Sequence, residues 1–138
     1  MTDPDLVAKR LAVIETAVAD LRRLARPDRL ADDVREERFV EHTLQIAIQA
    51  ALDVASHVVS DERLGEPATN RQLFDFLQRA GWVDPDLART LSRMAAFRNV
   101  LVHGYQTVDL GIVRDLVTSR LDDLLAFVAA VRRRLPPV

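Results

Sequence analysis

A chain of 138 residues, 49% apolar and 29% charged, has the balance of one globular domain over 1–138 and not of a disordered or membrane-embedded protein. Its net charge of −2, with Lys9 the single lysine among nineteen basic residues, excludes the general basic field that drives nonspecific nucleic-acid binding, so any contact of that kind has to be local. The absence of cysteine excludes disulfides and thiolate metal sites and fits a reducing cytoplasm, while 5% aromatics and four glycines favour helices over strands.

Asp3 followed by Pro4 reads as an N-cap and first helical position. Val7, Leu11, Ile14, Val18 and Leu21 then recur at steps of four and three, which predicts a first amphipathic helix ending near Arg26, before Pro27. The same spacing suits helix pairing between two chains, or packing inside one bundle. The start MTDPDLVAKR lacks the basic and apolar stretches of a signal peptide, and the longest apolar run, Leu124 to Val131, is too short to cross a bilayer; a cytoplasmic protein with no membrane partner is expected.

From about Asp33 to Val59 no proline or glycine intervenes, and Leu44, Ala47, Ile48, Ala51, Leu52, Ala55 and Val58 draw the apolar stripe of a long second helix, broken by Gly65 and Pro67. Thr69 and Gln72 have capping-box spacing ahead of a short third helix through Leu73, Phe76, Leu77 and Ala80, stopped by Gly81. Asp84-Pro85 repeats the cap-plus-proline start for a fourth helix reaching Gly104. Asp109 caps a last helix, in which Ile112, Val113, Leu116, Leu121, Leu124, Leu125, Val128 and Val131 face inward until Pro136. The expected architecture is all-α, an up-down bundle of four main helices and one short one, without repeats or linkers.

Polar residues interrupt the apolar pattern in Arg98-Asn99-Val100-Leu101-Val102-His103-Gly104-Tyr105. On a regular helix Asn99 and His103 share a face, whereas Arg98 is turned from His103 by about 140°. A bend, or a second subunit, would be needed to bring Arg98 and His103 to one cleft. Gly104 makes a local end to the helix inexpensive. The residue types suit internal transesterification of RNA, which needs a base for the ribose 2′-hydroxyl, an acid for the leaving oxygen and a cation against the phosphate. Histidine moves protons near neutrality, and the planar guanidinium matches phosphate oxygens. One such histidine per chain favours a homodimer, in which two protomers supply acid and base.

The pattern Arg98-x-x-x-x-His103-x-Tyr105, with Asn99 after the arginine, resembles the signature of HepT-like proteins of the HEPN superfamily. The run Leu44 to His57, the Pro67 to Leu77 segment and the Leu91-x-x-Met94-x-x-Phe97 approach to Arg98 are similar to that family too, so the resemblance spans roughly residues 35 to 125. It implies an HEPN-like helical dimer acting as the toxin of a toxin–antitoxin module. It further implies a metal-independent endoribonuclease, needing no cofactor, in which Arg98 and His103 act on RNA. The implied partner is a minimal nucleotidyltransferase antitoxin that silences the toxin by transferring AMP to Tyr105. The alternative is a noncatalytic subunit that binds such a partner.

Other polar residues have plainer readings beside functional ones. Arg98 could form a salt bridge, and His103 could complement the helix dipole. Asp53, His57 and Asp61 recur every fourth residue; they read as a solvated stripe and not a cation site, although Asp53 can border the cleft as a supporting residue alongside Asn99 and Tyr105. His42 is assigned no role. Arg132, Arg133 and Arg134 complement the end of the last helix, while Arg89 and Arg93 either extend an RNA track or only solubilise their helix.

Overall fold

The computed structural model describes residues 3–103 and 108–135. All regular structure in them is helical: α1 (Pro4–Leu24), a 3₁₀ turn (Pro27–Arg29), α2 (Val34–Asp61), α3 (Asn70–Arg79), α4 (Pro85–His103), α5 (Leu110–Ser119) and α6 (Leu121–Arg134). No described helix is long and apolar enough to cross a membrane.

The helix starts follow from local chemistry. Asp3 accepts from the amides of Asp5 and Leu6, Asp33 from Arg35, Asp84 from Leu87 and Asp109 from Gly111, so each carboxylate pairs amide hydrogens that have no partner within the helix. The expected box at α3 is only half made. Gln72 Oε1 accepts from the Ala68 amide at 2.6 Å, while the Thr69 hydroxyl makes no capping bond.

The ends differ in kind. After α3, Gly81 (φ +81°) lets its own amide reach Gln78 O (3.0 Å) and the Trp82 amide reach Leu77 O (2.9 Å). After α2 the same wrap is made with no glycine at the turn. Arg63 takes φ +53°, and the Leu64 amide closes onto Val59 O at 2.9 Å. Gly65, expected as the breaker, stands two residues further on at φ +149°, where a Cβ would come within 3.1 Å of the Phe76 ring.

Four long helices alternate in direction. The start of α1 meets the end of α2, since the Asp3 amide donates to His57 Nε2 (3.2 Å) and Arg10 Nε lies 3.9 Å from Asp53 Oδ2. α6 runs back along α1. Arg132 grips Glu15 with two hydrogen bonds (3.1 and 2.7 Å), which hold the Glu15 carboxyl below its usual range, and Arg22 pairs with Asp122. The end of α4 lies beside the first turns of α2, where Leu101 lines one depression with Arg38, Glu41 and Gln45. Between these helices the buried side chains form one cluster, with Leu11, Ile14, Leu44, Ile48, Leu91 and Leu124 at its centre. Phe74 of α3 meets Phe127 of α6 edge to face at 6.0 Å.

The single last helix expected from Asp109 is two helices, broken at Arg120 (φ −118°, ψ 2°). Thr118 Oγ1 donates back to Arg114 O at 2.7 Å, the kind of bond that bends helices, and Arg120 spans from Asp115 to Asp123 at 3.7 Å each. The break serves packing. α5 lays Val113, Leu116 and Val117 toward α2 and the 3₁₀ turn, while α6 turns Leu121, Leu124, Phe127 and Val131 toward α1 and α4. Ile112, expected to face inward, is instead 46% exposed at the mouth of a groove between α4 and α5. At the other end of α6, Arg134 stacks over the Trp82 ring (4.5 Å) and donates to Gly81 O (3.4 Å).

Candidate functional site

The site rests on α4, whose cap at Asp84 and proline at Pro85 fix where its turns begin. Leu87, Leu91, Met94 and Ala95 form its buried stripe. Arg98 continues that stripe one turn beyond Met94, so its stem is drawn toward the bundle and the residue is half-buried. Its guanidinium is incompletely paired: Nη1 donates to Asn99 Oδ1 at 3.2 Å, while Nε is buried with no partner among the described residues. A buried cationic donor without an acceptor is costly, and such atoms mark positions where an anionic ligand is at an advantage.

His103 is the last described residue of α4 and is exposed. The helix stays regular up to it, so about 140° and about 7.5 Å of rise separate it from Arg98 within one chain. The bend that would have joined them is not made inside α4. Asn99 makes the link instead, because it bonds the Arg98 guanidinium and lies one turn before His103 on the same face. Gly104 and Tyr105 lie outside the described residues.

Asp53 is not brought to this helix. It accepts from Gln49 Nε2 at 2.8 Å and faces Arg10 across the α1–α2 seam. His57 Nε2 lies 3.0 Å from Asp61 Oδ2, an ordinary one-turn pair. Among the described residues no three histidine, aspartate or glutamate side chains gather closely enough to hold a metal ion. His42 is exposed at the depression that receives Leu101, and Arg132 and Arg134 are engaged as described above.

Sequence reasoning missed Glu41. One of its carboxylate oxygens is buried without a partner, and its pKa is pushed up to about 7. Burial is the largest cause, followed by the hydrogen bond that the protonated carboxyl donates to Glu37 and by the charge of Glu37, with Arg38 opposing. The side chain opens on the depression of about 490 Å³ that it shares with Gln45 and Leu101, at the end of the bundle where α4 finishes. The signal lay in α2, where Glu37, Glu41, Gln45, Gln49 and Asp53 follow at steps of four beside the apolar stripe. Gln49 Oε1 is also buried and unpartnered, so the orphaned polar atoms Glu41 Oε2, Gln49 Oε1 and Arg98 Nε all belong to the packed pair α2 and α4.

The sequence profile of the family described as Ribonuclease HepT-like matches residues 14–131, which include α4 whole. The chain is 26% identical over 129 residues to a Shewanella oneidensis protein named mRNA nuclease HepT, covering 93% of this chain and 97% of that one. It is 28% identical over 135 residues to an Aphanizomenon flos-aquae protein named tRNA nuclease HepT, covering 96% and 92%. Among solved structures it is similar to a tri-AMPylated Shewanella oneidensis HEPN toxin in complex with an MNT antitoxin, with a TM-score of 0.87, 25% identity and coverage of 97% and 100%.

Proposed function

The chain belongs to the ribonuclease HepT-like family, and from that membership we propose that it is the toxin of a toxin–antitoxin pair, an endoribonuclease acting in the cytoplasm. The observation that carries this reading is the half-buried Arg98 guanidinium, bonded to Asn99 yet left with an unpartnered Nε, on the helix that ends in an exposed His103.

The reaction is an internal transesterification. A base takes the proton of a ribose 2′-hydroxyl, the 2′-oxygen bonds to the adjacent phosphorus, and the bond from phosphorus to the 5′-oxygen breaks. That oxygen leaves with a proton from an acid, giving a cyclic 2′,3′-phosphate and a 5′-hydroxyl. Arg98 stabilises the charge that builds on the non-bridging oxygens, and Asn99 holds the guanidinium in place. His103 carries the proton transfer. Because a regular α4 keeps Arg98 and His103 on different faces, the site is completed in a homodimer, where His103 of one protomer serves with that of its partner as base and acid. Asp53, held by Gln49 and facing Arg10 in the α1–α2 seam, takes no part in this reaction.

The antitoxin partner is a minimal nucleotidyltransferase. The Tyr105 oxygen bonds to the α-phosphorus of ATP as pyrophosphate and the phenolic proton leave, and the AMP so transferred adds bulk and a phosphate charge that competes with RNA for Arg98. The relatives named as nucleases and the AMPylated HEPN toxin bound to an antitoxin support this arrangement.

The test uses purified protein without its partner, with EDTA present. RNA is cut to cyclic-phosphate ends, and Arg98→Ala or His103→Ala lowers the rate by roughly a hundredfold or more. Equal rates in wild type and both variants refute the assignment. Incubation with partner and ATP adds whole AMP units to the intact mass, and the same gain in Tyr105→Phe rejects that residue as the acceptor.

A further inference from the structure

A polar basin of about 670 Å³ lies between α3 and α4, away from the buried stripe of α4. Arg71 of α3 and Arg89 and Arg93 of α4 open onto it, against one carboxylate, Asp75. All three guanidiniums belong to exposed residues. Arg89 is held only by Asp86, one turn away at 3.1 Å, and both partners are well exposed (61% and 90%), so the pair is weak and a phosphate can displace it. No ion pair engages Arg71 or Arg93 among the described residues. The two walls are joined where Ser92 Oγ donates to Arg71 O at 3.4 Å, which fixes the spacing of the arginines across the basin.

The lining speaks for the kind of ligand. Pro85 is its one apolar contributor, and the remaining walls are threonine, serine and glutamine. The cores of protein interfaces are poor in charge and rich in apolar and aromatic groups. Arginine with neutral polar donors is instead the composition of surfaces that hold a nucleic-acid backbone. On a chain of net charge −2, this local group also meets the need for an RNA contact that the whole surface does not provide.

Its position on α4 gives it a direction. At about 100° per residue, Arg89, Arg93, Ala96, Val100 and His103 fall within a sector of about 80° on α4. Arg93 stands about 15 Å and Arg89 about 21 Å from His103 along the helix axis. Between Arg93 and His103 that face of α4 carries only Ala96 and Val100, both short and half-buried, beside the groove to which α5 brings Asp109, Ile112 and Asp115.

Resting on the ribonuclease reading above, we propose that the α3–α4 basin is a phosphate-binding track, in which Arg71, Arg89 and Arg93 hold single-stranded RNA leading along α4 to His103. The track binds substrate remote from the scissile bond; it takes no part in the bond changes.

The test is made on the full chain carrying His103→Ala, so that RNA stays uncut. Binding of a labelled single-stranded RNA of about twelve nucleotides is measured over a range of salt concentrations. Replacing Arg71, Arg89 and Arg93 together by alanine makes the slope of log affinity against log salt shallower by about 2, at about 0.7 for each phosphate no longer neutralised. Affinity at low salt falls roughly ten- to a hundredfold, and lysine at the same three positions restores most of the slope. In the cleaving protein, the alanine variant raises KM for the long RNA far more than for a dinucleotide. An unchanged slope and affinity overturn the track, as does loss of antitoxin binding with RNA binding intact, which would assign the basin to the protein partner. Failure of the ribonuclease reading is separately visible: wild type then leaves RNA uncut whatever the basin carries.

Discussion

Replacing Glu41 by glutamine should stabilise the protein at neutral and alkaline pH and leave it nearly unchanged in acid. The carboxyl is raised from 4.5 to about 7, chiefly by burial. A group whose folded pKa is raised contributes stability that is fully present below its unfolded pKa and is lost as pH rises through the folded one. Here the loss runs from about pH 4.5 to about pH 7. Taken at face value, a shift of this size is worth about 3 kcal/mol. Much of the carboxyl still meets water, and Glu37 shares the proton, so screening reduces the expected gain in Glu41→Gln to about 1 kcal/mol at pH 8. For a chain of this length that is a rise of about 3 °C in Tm. Urea unfolding of both proteins at acid, neutral and alkaline pH reads the difference directly, with the same m value expected for each. Stability curves that stay parallel across the whole pH range would refute the reasoning, because the carboxyl would then titrate alike in folded and unfolded chains.

Three further outcomes are expected. Phe127→Ala removes a fully buried ring and its edge-to-face packing on Phe74, and should cost about 3–5 kcal/mol in denaturant unfolding; a drop under about 1 kcal/mol would mean the core collapses around the gap. Arg63→Gly relieves a left-handed residue at the end of α2 and should raise stability by up to about 1 kcal/mol in a thermal melt. Asn99→Ala releases Arg98 Nη1 and should lower RNA cleavage about tenfold with little change in Tm; full activity would show that the guanidinium needs no such support.

The starts of α1, α2, α4 and α5 are legible in the sequence because each is written in adjacent residues: a short carboxylate, in two of them a proline, then an apolar stripe. Asp3-Pro4 and Asp84-Pro85 are the plain cases, and both caps form. The break at Arg120 is not legible, since no glycine or proline marks it; it follows from where α5 and α6 find separate partners, which is tertiary information. The end of α2 reads as Gly65 for a related reason, because nothing local says that Arg63 will accept a left-handed turn.

For the site, Arg98, Asn99 and His103 stand out as polar residues interrupting an apolar period, and the structure joins the first two. It leaves Asp53 in the α1–α2 seam with Arg10, a pairing between residues far apart in sequence. Glu41 escapes notice because a glutamate on an amphipathic helix reads as solvated until the neighbouring helices show that one oxygen is covered.

The stacking of Arg134 on Trp82 means that the end of α6 is fastened to the foot of the helix that carries Arg98. Trp82 is the molecule's sole tryptophan, so its emission is a built-in optical gauge of whether that fastening holds. A substitution that disturbs the end of α6 would register there, before any assay of RNA is run.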